Sequence, residues 1–343
     1  MRFEFYNESL IDVPKLSVDG IVPNSVHFSH WKGNETDNSI YADTSTGTAL
    51  NLVAALNRDE MTKGIELVTN NHFDTDGVLS VWTVLNGEHA LDFKELLIAA
   101  ATAGDFSEFT NEQAVRVSLT IQGSDNPISD EDTGSPLARH LAGRPVDDDA
   151  ESYALVLPEV ENLLRNTNDY EPLWRDAWDR IETALNSFAK GASSVVEDEE
   201  TKLSVVTLAP EVFSPNGFNP TRHAAPYTAI SRYAHGQLFL IATQAQNGWY
   251  YRVDYPYYSW AETIVRPRIV RKDFSELIAG LNEIEKSEGE WKKNESGLSS
   301  AFHFVDANDA LAASSLTPDV VADKIRALPI ADCRFDSRFK IKD

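Results

Sequence analysis

The sequence predicts an α/β fold: an N-terminal domain with a parallel sheet, then a smaller α+β domain. Three observations carry this reading. Short apolar strand-like segments alternate with helical ones through about the first 120 residues. A turn-rich acidic stretch from 123 to 152 interrupts the pattern. Beyond about residue 200 strand patterns dominate, and Asn247-Gly248 marks a hairpin. The expected domains are residues 1–195 and 200–343, with the boundary near 190 to 202.

In chain order, Ser25 to His30 reads as a short strand ending in polar residues, and Ala49 to Leu56 as an apolar helix. Asp43 to Thr46 offers the N-cap chemistry ahead of that helix, with Asp43 as the cap. Gly64 to Thr69 is a compact strand, and Leu79 to Leu85 and Phe93 to Ala101 are helices. Between 170 and 190, Leu173, Trp174, Ala177, Trp178, Ile181, Leu185 and Phe188 follow helical spacing, and Gly191 stops the helix. Leu203 to Leu208, Tyr227 to Ala234, Gln237 to Thr243 and Trp249 to Tyr255 read as strands. Phe274 to Lys286 and Thr317 to Leu328 read as helices.

The chain has 343 residues, 42% of them hydrophobic, which is ample for packed cores. The single cysteine, Cys333, excludes an internal disulfide and thiolate-rich metal sites. Residues 1–8 lack a basic region followed by an apolar stretch, and no run of 18 apolar residues occurs, so a cytoplasmic protein with no membrane span is expected. A net charge of -24 repels nucleic-acid backbones and suits cation binding, so long nucleic acid is not an expected partner. Serine-hydrolase elbows, phosphate-binding Walker loops and dinucleotide-type glycine patterns are absent from the sequence.

The chemistry-bearing segment is His72-Phe-Asp74-Thr-Asp76-Gly77-Val-Leu-Ser80. His72, Asp74 and Asp76 alternate on what reads as an extended stretch, and Gly77 permits a tight turn into a helix. Imidazole and paired carboxylates form an oxygen-and-nitrogen ligand set for a divalent cation, manganese or magnesium first and iron or zinc as the other candidates. Two close carboxylates repel, and a cation holds both ionised. The plainer reading is an Asx turn capping the helix, which accounts for Asp-Gly but leaves His72 unexplained. Ser80 is read as lying in the first helical turn, where exposed amides favour a phosphate.

This segment resembles the first motif of the DHH phosphoesterase superfamily, a His or Asp followed by Asp-x-Asp-Gly and a small residue or Ser. Residues 98 to 106, ending in Asp105-Phe, are similar to the superfamily's helix that carries a metal-binding Asp. Ser29-His30-Trp31 with the Ser/Thr-rich stretch from Ala42 is similar to its Asp-His-His motif, matching at the middle His. Here that segment precedes the Asp-x-Asp motif instead of following it, so the resemblance implies a permuted order. It implies a two-domain phosphoesterase with metal ligands His72, Asp74, Asp76, Asp105 and His30, of which Asp74, Asp76 and His30 serve catalysis. The whole chain is also similar to a family of bacterial proteins that implies no activity.

Arg222-His223, Arg232, His235, Arg266 and Arg268 concentrate positive charge in an acidic protein. Arg222, Arg232, Arg266 and Arg268 are expected to bind the anionic end of a substrate; the competing reading is pairing with surplus carboxylates. Tyr250, Tyr251, Tyr255, Tyr257, Tyr258 and Trp260 suit ring stacking or hairpin packing. His27 reads as structural, His89 and Asp92 as a helix junction, and Arg139, His140 and Arg144 as a lid. The expected function is metal-dependent hydrolysis of a small phosphorylated metabolite or short nucleotide. A non-haem iron or manganese redox enzyme, or a ligand-binding protein without catalysis, are the alternatives.

Overall fold

A computed structural model describes residues 1–124, 134–212, 227–294 and 298–328. The fold is α/β, and the chain forms two compact units. Among the described residues the first unit takes 1–124, 134–178 and 260–267, and the second takes 179–212, 227–259, 268–294 and 298–328.

The first unit is built on four short strands, β1 (Arg2–Phe3), β2 (Lys15–Val18), β3 (Val26–Phe28) and β4 (Leu67–Thr69). They pair in the order β1-β4-β2-β3, parallel throughout. Around them lie α1 (Ser45–Ala54), α2 (Arg58–Met61), α3 (Thr75–Asn86), α4 (Lys94–Phe106), α5 (Glu112–Gln122), α6 (Pro136–Ala142), α7 (Asp149–Val156) and α8 (Val160–Arg165). Leu16, Val18 and Val68 of the sheet pack with Leu50, Val78, Leu79, Leu97, Val117 and Ile121 in one buried core. Helix α9 (Glu171–Ala189) follows, buries Trp174 and Trp178 as its spacing predicts, and is stopped at Gly191, φ 74°. The Arg116 guanidinium lies over both indoles, 4.7 and 4.4 Å from the ring centroids.

Strand β2 has no sequence signature because Lys15 and Ser17 interrupt it, yet all four of its residues are buried. The Lys15 ammonium is satisfied by the carbonyls of Leu10, Ile11, Val13 and Asn24 at 2.9 to 3.3 Å, although burial lowers its pKa. Within the stretch from 123 to 152 that reads as a connection, the described residues form α6 and the first part of α7.

The second unit holds a mixed sheet of β5 (Ser194–Asp198), β6 (Leu203–Leu208), β7 (Leu238–Ala245), β8 (Gly248–Asp254), β9 (Glu290–Lys293) and β10 (Ser300–Val305), in the order β5-β6-β7-β8-β10-β9. Only the β6–β7 pairing is parallel. The expected hairpin is present: β7 and β8 pair antiparallel up to Ala245 and Gly248. The central strands β6 and β7 are buried on both faces. Leu203, Val205, Leu240 and Val253 belong to one core with Leu277, Leu281, Val321 and Ile325, whereas Val206, Leu208, Phe239 and Ile241 belong to another with Phe188, Tyr227 and Ile230. Helices α10 (Tyr227–Ser231), α11 (Ser275–Ile284) and α12 (Pro318–Arg326) complete the described part.

The strand expected over Tyr227 to Ala234 is therefore the helix α10. Tyr227, Thr228, Ala229 and Ile230 are all buried, and a short run buried on every side has no period that separates strand from helix.

Candidate metal centre

Five segments of the first unit converge at the carboxyl ends of its parallel strands, where open α/β sheets place their ligands. β2 ends at Val18 and delivers Asp19; β3 ends at Phe28 and delivers His30 two residues on. β4 ends at Thr69 and leads through Asn70 and Asn71 to His72, Asp74 and Asp76. The end of α4 supplies Asp105, and the first turn of α1 supplies backbone amides.

The chain is tightly folded here. Asp19 has φ 67°, a left-handed conformation that Asp tolerates better than most residues. Gly20 lies so close to the amides of Asn70 and Asn71 that a Cβ would collide with both side chains. Gly77 is confined likewise by Asn70 and Tyr153.

The expected alternation of His72, Asp74 and Asp76 along a strand is not what positions them. Asp74 is the N-cap of α3, accepting from the Gly77 amide at 2.7 Å, and Asp76 lies in the first helical turn. The capping and metal readings of this segment are thus compatible, because the second Asp74 oxygen remains available to His72. Asp76 is wholly buried, and its two oxygens accept from the Ser45 and Thr46 amides of α1 at 2.6 and 2.7 Å.

Two groups of side chains share Asp19. Asp19, His30, Asp76 and Asp105 form one, and Asp19, His72 and Asp74 the other; within each, one ligand atom per residue lies within 4.8 Å of the rest. His30 Nε2 is 3.0 Å from Asp105 Oδ2, 3.5 Å from Asp19 Oδ1 and 3.9 Å from Asp76 Oδ2. His72 Nε2 is 2.8 Å from Asp19 Oδ2 and 3.3 Å from Asp74 Oδ2. Despite these approaches, Asp19 Oδ2, His30 Nε2, His72 Nε2 and Asp105 Oδ2 are buried without a hydrogen-bond partner. Buried polar atoms are rarely left so, and four aimed at one another form a ligand set for a cation. The buried Asp/His cluster could hold a metal ion.

The electrostatics agree. Burial alone would raise the Asp19 pKa, but His72, His30 and the Ser45 hydroxyl hold it at about 2. Burial and the neighbouring Asp19 charge push Asp76 up to about 6 against the pull of His30 and Thr46. Asp105 is raised well above the carboxylate range by burial and by Asp76 and Asp74. For the two histidines burial disfavours the charged form, yet the carboxylates prevail. His30 is raised to about 10, mainly by Asp105, and His72 well above its ordinary value by Asp19 and Asp74. Without a metal ion the cluster keeps protons that a cation would displace.

Five residues singled out in the sequence, His30, His72, Asp74, Asp76 and Asp105, are brought together here, and Asp19 is the member that sequence reasoning missed. Ser80 lies in the second turn of α3, not the first, with its hydroxyl donated to the Gly77 carbonyl at 2.9 Å. Asp43 does not cap α1; Thr44 does, accepting from the Gly47 amide at 3.1 Å. Asp43 instead accepts from the Ile264 and Val265 amides at 2.6 and 3.1 Å. Arg266 pairs with Asp43 and Glu108 in this unit, both at 2.6 Å. Arg232 and Arg268 are exposed residues of the second unit, and Arg222, His223 and Cys333 lie outside the described residues. His27 accepts from the Glu35 amide at 2.7 Å, His89 pairs with Glu161 at 3.2 Å, and His140 is exposed on α6.

Residues 1–328 match DUF6687, a family of unknown function. The chain belongs to that family. Comparison with curated proteins gives no match. Among solved structures, a pGpG-specific phosphodiesterase, PggH from Vibrio cholerae, is similar at 9% identity and a TM-score of 0.35, over 91% of this chain and 98% of that one. A TM-score of that size carries no argument about fold or activity. No helix among the described residues is long and apolar enough to cross a membrane.

Proposed function

We propose that this DUF6687 protein is a metal-dependent hydrolase of the phosphoester type, acting on a small phosphorylated metabolite or a short nucleotide. The observation that carries the proposal is Asp19, whose two oxygens face two separate histidines within two ligand groups. Asp19 would help to hold a cation in either group. His30, Asp76 and Asp105 would complete the inner position, and His72 and Asp74 the outer one. The four carboxylates of Asp19, Asp74, Asp76 and Asp105 would balance the charge of two divalent ions.

When bound, such a pair supplies Lewis acidity toward a phosphoryl oxygen and a water acidic enough to act as nucleophile near neutral pH. The remaining work belongs to the chain's own residues. The inner side chains are at most 4% exposed and exclude water, whereas His72 and Asp74 are 30% and 29% exposed. Substrate therefore approaches from the side of His72 and Asp74. The mixed carboxylate and imidazole donor set suits manganese, with iron or zinc next, and the motif at residues 72–80 resembles that of phosphoesterases.

The test is Mn²⁺-dependent hydrolysis of bis-p-nitrophenyl phosphate and p-nitrophenyl phosphate by the purified protein, alongside metal analysis. Wild type should hold metal and turn over at least one of these, and Asp76→Asn should abolish turnover. A protein that holds the metal but cleaves neither, nor any nucleotide or sugar phosphate offered, would sink the hydrolase reading while sparing the centre.

A further inference from the structure

We propose that Arg266 is a positioning residue for the metal centre: through Asp43 it holds His30 with Nε2 directed at Asp19, Asp76 and Asp105. This rests on reading the cluster as a metal centre. Arg266 comes from residues 260–267, a short strap of the first unit far along the sequence from the residues it touches. The strap grips the His30 loop at several points. The Glu262 amide donates to the His30 carbonyl at 2.8 Å, the Tyr41 hydroxyl to the Glu262 carbonyl at 2.7 Å, and the Asn34 side-chain amide to the Glu262 carboxylate at 3.1 Å.

Asp43 is the joint between strap and ligand. One carboxylate oxygen takes the Ile264 and Val265 amides, and the other takes Arg266 Nη1 at 2.6 Å. Its main-chain carbonyl is 2.6 Å from His30 Nδ1. A carbonyl can only accept, so Nδ1 carries a proton, and Nε2 is the nitrogen presented to the carboxylates. Metal-ligating histidines are oriented by this kind of support. The same guanidinium pins the far side of the centre. Its Nε and Nη2 make a bidentate pair with Glu108 at 2.7 and 2.6 Å, three residues beyond Asp105, and it covers the Phe106 ring at 4.6 Å.

This geometry assigns Arg266 a different task from the substrate binding that its charge suggests. With Asp43 and Glu108 both paired to it, the trio carries a net negative charge, which offers a phosphate no attraction. Lysine could supply the charge but not the fork that spans two carboxylates.

The experiment compares wild type, R266K and R266Q, stripped of metal, by Mn²⁺ titration calorimetry and by the solvent-exchange rate of the His30 Nδ1–H proton. Thermal unfolding of the metal-free proteins serves as the control. Both variants are expected to bind Mn²⁺ about tenfold more weakly and to exchange the His30 proton faster while remaining folded. If R266Q does not fold, Glu108→Gln loosens the same clamp from its other side and carries the same expectation. Folded variants with wild-type Mn²⁺ affinity and an unchanged His30 proton would overturn the proposal, leaving Arg266 a structural residue. A wild-type protein that takes up no Mn²⁺ overturns the metal reading, and this proposal with it.

Discussion

Asp19 and His30 show how much of this centre depends on single side chains placed by backbone geometry. Because Asp19 belongs to both ligand groups and His72 to one, their substitutions should differ. Metal per chain, measured by mass spectrometry, is expected to fall to almost none in Asp19→Asn and by about half in His72→Ala. Equal losses would argue against a shared carboxylate. His30, raised to about 10, is an imidazolium at neutral pH in the metal-free protein, whereas a ligating nitrogen must be deprotonated. Mn²⁺ binding should therefore release protons, and the affinity should climb as pH rises toward that value. Calorimetry in buffers of different ionisation enthalpy checks this, and a buffer-independent heat would contradict it. Of these residues, His72, Asp74 and Asp76 were legible because they sit within five positions of one another. Asp19 lacked any neighbouring donor in sequence and gave no signal.

At the start of helix α3, Asp74 is both the N-cap and a candidate metal ligand, and substitution can separate the two. Asp74→Ser keeps an N-cap acceptor, while Asp74→Ala removes it at a cost of about 1 kcal/mol. Urea unfolding of the metal-free proteins should show that loss for Ala and little for Ser, with metal binding weakened in both. In the second unit, Glu285 closes α11. Burial would raise its pKa, but Ser314, Ser315 and the amides of Ser287 and Ser315 hold it at about 2 against an ordinary 4.5. A carboxyl depressed on folding stabilises above its unfolded value and loses that contribution as pH falls toward the folded one. Glu285→Gln should thus be less stable than wild type at neutral pH and converge with it in acid, as urea midpoints across that range would show. Long amphipathic elements such as α9 and the Asn247-Gly248 hairpin were legible from period and turn chemistry. The strands β1 and β2 were not, because two residues give β1 no period and β2 buries a lysine.

For the whole molecule, the net charge of -24 and the carboxylate cluster act in the same direction. Self-repulsion is relieved by screening, so added NaCl should raise the melting temperature of the chelator-treated protein. Mn²⁺ at a hundred times its dissociation constant should stabilise the folded state by about 2.7 kcal/mol per site, seen as a higher melting temperature that EDTA reverses. A melt unmoved by both would count against a cation centre.

By itself the sequence determined the α/β class, the long helices, the hairpin and the first group of candidate ligands, since each is written in neighbouring residues. Only the tertiary structure decided the rest. Parallel strands bring their carboxyl ends together whatever their separation in the chain, so Asp19 and His30 meet the residues following β4, and the end of α4 adds Asp105. The strap at 260–267 then supports His30 from more than two hundred residues away, a relation that no local pattern encodes.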